Sequence, residues 1–230
     1  MVLKMKKLVI FFILVSLFFS SGCQYAPIAS LLGTPGYYEQ KIPAEYDLSE
    51  QKDQKILILV DQPGSVNSRV NMRYYLTESI RKNLVERIKI TEDNLVGYSE
   101  LFAFRSKRED FSSLSPQEVG KALGANLVLF VVIEDYQITA QDEGGCYNGS
   151  LRGQAALFDA ATEEKLWPKT GKSKMVSVGF EFEARGQDVA NARLINSLAY
   201  CTTRYLYNCP KSKFSIPDDR SGIGWESWKK

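Results

Sequence analysis

Residues 55–60, KILILV, form an unbroken apolar run closed by Asp61-Gln62-Pro63-Gly64. A short run bounded by turn residues predicts a strand buried on both faces. Beyond it Met72, Leu76, Ile80 and Leu84 recur every four residues, with Tyr75 and Ser79 beside them and Arg73, Glu78, Arg81 and Lys82 elsewhere on the wheel. That spacing predicts an amphipathic helix with one side on a sheet. Ile88 and Ile90 alternate with charged neighbours, as in a short strand. Residues 92–114 read as a short helix plus loop. Ser115-Pro116 followed by Glu118 predicts a capped helix start, and Gly124 its end. Residues 127–133 are again continuously apolar and read as a second central strand, projecting past the helices from Glu134 onward. Residues 139–150 supply a turn, 151–161 a returning strand, and 162–167 a turn and short strand. Residues 174–184 alternate strictly, with Val176, Val178, Phe180 and Phe182 on one side, which predicts an edge strand with one wet face. Val189, Ala192, Ile195, Ala199, Thr202 and Leu206 form the stripe of a final helix. The order implies a single α/β domain: a mixed β-sheet packed by about three helices.

The ends differ. Lys4, Lys6 and Lys7 precede an apolar run over 8–19 and the small residues Ser20, Ser21 and Gly22. This is the pattern of a secretory signal peptide, and the run is shorter than the roughly 20 residues of a spanning helix. Cys23 follows at once. Residues 24–54, with prolines at 27, 35 and 43 and no clean periodicity, read as a flexible tether in which Tyr37, Tyr38 and Tyr46 allow draping over the domain. The tail from Pro210 is rich in charge, Gly and Pro, with Trp225 and Trp228 able to dock. The expected divisions are 1–22, 23–54, 55–209 and 210–230.

Charge changes the picture little. The 29 basic residues include the three leader lysines, leaving 26 against 27 acidic ones, a net of −1 from Cys23 onward. Nothing there points to nucleic acid. The complete lack of histidine matters more. It removes Ser-His and Cys-His catalysis, histidine metal sites and the usual near-neutral proton shuttle. No cofactor or metal is expected, and the protein is read as not an enzyme. A hydrolase built on carboxylates is the reading that this leaves open, but Glu134-Asp135 and Glu163-Glu164 are adjacent pairs, whose side chains on a strand point to opposite faces. Thr170-Gly171-Lys172-Ser173-Lys174 lacks the glycine and the following helix that a phosphate loop needs.

Cys23, Cys146, Cys201 and Cys209 are the four cysteines. An exported chain meets an oxidising compartment, so a Cys201–Cys209 disulfide is a candidate, with Cys146 to either one as the alternative. Arg105, Lys107 and Arg108 lie in a mixed charge run that reads as a wet loop, with a partner or headgroup contact as the sharper alternative. Trp167 reads as a core cap, or else as an exposed anchor for a partner.

Two resemblances follow. Ser21-Gly22-Cys23 resembles the bacterial lipobox, in which the cysteine is acylated and becomes the new N-terminus; Ser20 stands where an aliphatic residue is usual. This implies a covalent lipid at Cys23, the membrane as one partner, and, through Gln24, an outer-membrane inner-leaflet location facing the periplasm. Residues 118–138, EVGKALGANLVLFVVIEDYQI, and 153–168, GQAALFDAATEEKLWP, resemble the helix-Gly-strand and strand-pair signatures of periplasmic lipoproteins. They look like the α/β domain of the TolB N-terminal region, the curli-secretion lipoprotein CsgG and the penicillin-binding-protein activators. The resemblance implies a non-enzymatic envelope scaffold or interaction module with a protein partner; the alternative is a small-ligand or glycan-binding lipoprotein.

Overall fold

Strand β2 (Ile56–Asp61) lies parallel to β3 (Leu127–Ala140), with Ile56 opposite Leu127 and Asp61 opposite Val132. The structure is a computed structural model that describes residues 40–66, 68, 70–141, 145–183 and 186–214. β3 turns back into the antiparallel β4 (Cys146–Asp159). The far edge of β4 is shared by β5 (Lys165–Trp167) and β6 (Lys174–Glu183), giving a five-stranded mixed sheet.

Helices cover both faces, unequally. Helix α1 (Met72–Asn83) and helix α4 (Gln187–Thr203) pack on one face. There they meet Ile56, Ile58, Val60, Leu129, Val131, Val176 and Val178 in the larger core. Helices α2 (Tyr98–Ser106) and α3 (Pro116–Ala122) cover the other face, where Leu57, Leu59 and Val128 meet Leu101, Val119 and Leu123. A strand sandwiched between two helix layers must be apolar on both sides, which is why 55–60 and 127–133 read as unbroken runs. β6 has only the first layer: Val176 and Val178 are buried while Met175 is 44% exposed, as its alternation predicts.

Helix α3 starts as its sequence requires. Ser115 Oγ accepts from the Glu118 N–H at 3.2 Å, and Glu118 accepts from the Ser115 N–H at 2.7 Å. Gly124 follows at φ +65°, a region that favours glycine. Within the helix, Gly120 sits so close to β3 that a Cβ there would lie 2.3 Å from Val128 Cγ2.

Several expectations are corrected. β2 is an edge strand and not a central one, buried because the helix layers enclose it and Val96 donates its N–H to Ile56 O at 2.9 Å. No strand forms at 88–90. Helix α1 instead runs into a wide turn, Leu84–Ile88, ended by Lys89 at φ 68°, so Ile88 and Ile90 are buried without pairing. β4 begins at Cys146, inside the segment read as a turn. The stripe of α4 holds at Ile195, Ala199, Thr202 and Leu206, all buried, but differs at its start: Ala190, Asn191 and Leu194 face inward, while Val189 is 51% exposed. Asn191 takes an inward place because its side chain accepts from the Tyr136 hydroxyl of β3. Among the described residues four helices of two turns or nearly so pack on the sheet, the three periodic ones and α2, the short helix expected within 92–114, and a short α5 (Lys211–Phe214) follows.

The tether reading fails for residues 40–54. β1 (Lys41–Ile42) pairs antiparallel with β7 (Cys209–Pro210), Leu48 is fully buried, and the Glu45 N–H donates to Tyr205 O at 2.9 Å. Residues 210–214 also belong to the fold. The fully buried Arg204 donates to Phe214 O at 2.7 Å and to the Tyr205 hydroxyl at 2.9 Å. The signal peptide, Cys23, the tether up to residue 39, and Trp225 and Trp228 lie outside the described residues.

Candidate interaction face

Trp167 is not a surface anchor. Pairing with Leu157 on β4 turns its ring into the larger core, where it is fully buried, 5.9 Å from the Tyr205 ring. Its Nε1–H donates to Glu45 Oε2 at 2.8 Å, and Lys174 Nζ donates to Glu45 Oε1. An indole buried with its N–H satisfied is a core element.

Cys146, Cys201 and Cys209 form no disulfide with one another. Cys201 lies inside α4, which does not end before Thr203, so it is held in the core while Cys209 is drawn into β7. There the Cys209 thiol donates to the Tyr207 hydroxyl at 3.4 Å and lies 3.5 Å from that of Tyr200. Burial, followed by the bond with Cys209, pushes the Tyr207 phenol up to about 12 and raises Tyr200 as well. Each phenol is therefore held in its neutral, protonated form by folding. The stability this gives is whole below the unfolded phenol's value near 10 and is lost as pH rises from there through about 12. The urea midpoint is expected to fall between pH 8 and pH 11, and to fall less for Tyr207→Phe. Equal falls for both proteins would refute the assignment.

The adjacent carboxylates are dispersed. Glu134 accepts from Gln154 and lies 3.2 Å from Arg152 Nε, while Glu163 pairs with Lys121 at 2.7 Å. They are structural ion pairs at strand and turn positions, not a couple facing each other across a cleft.

The residues of the charge run have distinct places. Arg105 reaches Asp61 Oδ1 at 3.5 Å and lies over the Phe111 ring. Arg108 makes a forked bond to Asp110, at 2.9 and 2.8 Å. Lys107 caps α2 and is exposed. Arg73 also approaches Asp61 Oδ1, at 3.7 Å, and donates to Gln62 O at 2.6 Å. Two guanidiniums thus share one carboxylate at the end of β2. Partial burial, then the charge of Arg105, lowers the pKa of Arg73.

Beside this cluster lies a feature that the sequence pattern did not single out. Tyr74 is 41% exposed, Tyr75 52% and Phe102 57%. With Tyr98 they form a continuous ridge across α1 and α2: Tyr74–Tyr75 centroids 5.2 Å apart, Tyr74–Tyr98 5.1 Å and Tyr98–Phe102 6.3 Å. The signal was present, since Tyr74 and Phe102 are aromatics off the inward stripe, but only the docking of α1 beside α2 joins them. On its other side α1 meets α4 along a groove. One stretch, of about 610 Å³, holds Ser79, Arg87, Asn196 and Tyr200; the next, of about 190 Å³, runs between Val70, Tyr75 and Ile195.

No protein-family model matches the chain, and no characterised protein matches it in sequence. Solved structures resemble it in chain path. They include the lipoprotein GNA1162 of Neisseria meningitidis, at 16% identity over 61% of this chain and 92% of that one, TM-score 0.41. The PelC dodecamer of Paraburkholderia phytofirmans gives 12%, 71%, 89% and 0.34 for the same four measures. The C-terminal domain of LpoB from Salmonella enterica gives 17%, 68%, 93% and 0.30.

Proposed function

We propose that the protein is a lipid-anchored module of the bacterial cell envelope that works by contact and not by catalysis. The observation that carries this reading is the leader itself: a basic start, an apolar run too short to span a bilayer, and Ser21-Gly22-Cys23 at its exit. Acyl chains on Cys23 would hold the domain at a membrane, since each buried CH₂ contributes about 0.8 kcal/mol. The concave α1–α4 groove suits an element of an envelope protein. The exposed Val189 and Tyr75 supply apolar contact there, with Asn196 and Arg87 as polar partners.

Metabolic labelling with palmitate, together with mass spectrometry of the mature N-terminus, tests the reading. The wild-type chain is expected to begin at an acylated Cys23. Cys23→Ser is expected to carry no label and to retain residues 1–22. A mature chain that begins elsewhere, or carries no acyl group, would sink the proposal. The size of the groove favours a second reading, capture of a small envelope sugar or lipid. A thermal shift with such compounds that is lost in Asn196→Ala would support it.

A further inference from the structure

The ridge and the arginine pair suggest a use for the anchored domain beyond being held in place. We propose that the Tyr74–Tyr98–Phe102 ridge rests on the phospholipid surface that carries the anchor, with Arg73, Arg105 and Lys107 taking the lipid phosphates. The inference rests on the acylated reading of Cys23.

The chemistry fits a bilayer interface. Tyrosine places an apolar ring against acyl chains while its hydroxyl stays among the headgroups. Phe102, at 57% the most exposed large apolar side chain among the described residues, has no polar handle and is the one to enter deepest. The rings stand on the outer sides of α1 and α2 and do not line the concave α1–α4 groove, apart from Tyr75 at its rim. A row of rings standing proud suits a broad, yielding surface, whereas a partner's side chains are better received by the groove.

Two cations stand beside the ridge. Asp61 Oδ1 is shared by Arg73 and Arg105 at 3.7 and 3.5 Å, neither in close forked contact, and both guanidiniums are part exposed. Lys107 is exposed at the end of α2, in a segment that also exposes Glu100 and Glu109, while Arg108 is already paired with Asp110. A lipid phosphate matches the fork of a guanidinium better than water does.

Tethering makes so small a contact effective. Sixteen residues lie between Cys23 and Gln40, and a chain of that length reaches roughly 60 Å at most. Any face of a domain of this size can therefore meet the bilayer. Confinement near it acts as an effective concentration in the millimolar range, so a contact too weak to bind membranes alone still sets orientation.

The test uses the full acylated protein in vesicles of phosphatidylethanolamine and phosphatidylglycerol, 3:1. A photo-crosslinking residue, p-benzoylphenylalanine, stands in place of Phe102 or, as a control, in place of Met175 on β6. Mass spectrometry of the adducts is expected to find phospholipid at position 102 at least ten-fold more often than at 175. A second readout is amide exchange over residues 72–106, which is expected to slow on vesicles relative to detergent and to lose that slowing in Tyr74→Ser/Phe102→Ser. Flotation with the vesicles reads the anchor separately. A chain that floats while position 102 captures no lipid overturns the ridge alone. Capture of a second copy, or of an envelope protein when the same chain is irradiated in cells, also overturns it. A chain without an acyl group whose position 102 captures no lipid overturns both readings.

Discussion

Trp167→Ala is expected to cost about 3–5 kcal/mol, the range for emptying a large buried aromatic site. The indole is fully buried and touches three parts of the chain at once: β4 through Leu157, the turn that follows α4 through Tyr205, and the segment after β1 through Glu45. No one of these can move in to fill the space without releasing the others. A domain is typically stable by only about 5–15 kcal/mol, so the loss takes a large share of the total. Trp167→Phe keeps a ring but drops the bond to Glu45 and is expected to cost distinctly less, with Glu45 still held by Lys174. Urea unfolding followed by circular dichroism measures both. A loss under about 1 kcal/mol for Trp167→Ala, well below the usual range for such a site, would show that the ring is no keystone. Amide exchange over residues 41–48 is expected to quicken in the same variant, because that segment is tied down through Glu45.

The second large effect is at Gly120. Alanine normally favours a helix interior by up to about 1 kcal/mol over glycine. Here the added methyl would meet Ala160 Cβ at 3.2 Å and Val128 Cγ2 at 2.3 Å, the latter on a strand that is itself held from both sides. Overpacking of that kind costs about 1–3 kcal/mol and outweighs the propensity gain. Gly120→Ala is therefore expected to destabilise. Val128→Ala, which opens the clashing site, is expected to make the double variant more stable than the two single losses predict by about 0.5–3 kcal/mol. Additive single effects in urea titrations would mean that α3 and β3 are not in the contact described. Gly124→Ala gives a contrast: open space surrounds that position, and its cost comes from φ +65° alone.

The parts of the fold legible in the sequence are those where local chemistry and tertiary demand agree. Ser115 and Glu118 cap α3 whatever packs on it, and Val176, Val178 and Phe180 alternate because one face of β6 is covered. Where two geometries bury the same residues, periodicity could not choose. Ile88 and Ile90 satisfy a strand's alternation, but also a wide helical turn closed by a left-handed lysine. Val189 and Ala192 are apolar enough for an inward stripe, yet in the first turns of α4 the hydroxyl of Tyr136 claims Asn191 and the two face outward. Trp167, Arg105 and Arg108 could be singled out by type, but their partners Glu45, Asp61 and Asp110 are fixed only by folding. The ridge was hidden for the same reason, since Tyr98 and Phe102 become neighbours of Tyr74 only when α2 docks beside α1.

The two-residue ribbon of β1 and β7 also has a mechanical meaning. If the domain hangs from acyl chains at Cys23, any tension in that line enters the body at Gln40 and meets the Lys41–Pro210 and Ile42–Cys209 rungs before it reaches the sheet. The ribbon, with Lys211 donating its N–H to Gln40 O at 2.8 Å, acts as a strain relief. A pull that unpicks it lengthens the leash by a few residues and leaves the five-stranded sheet and its helices unloaded.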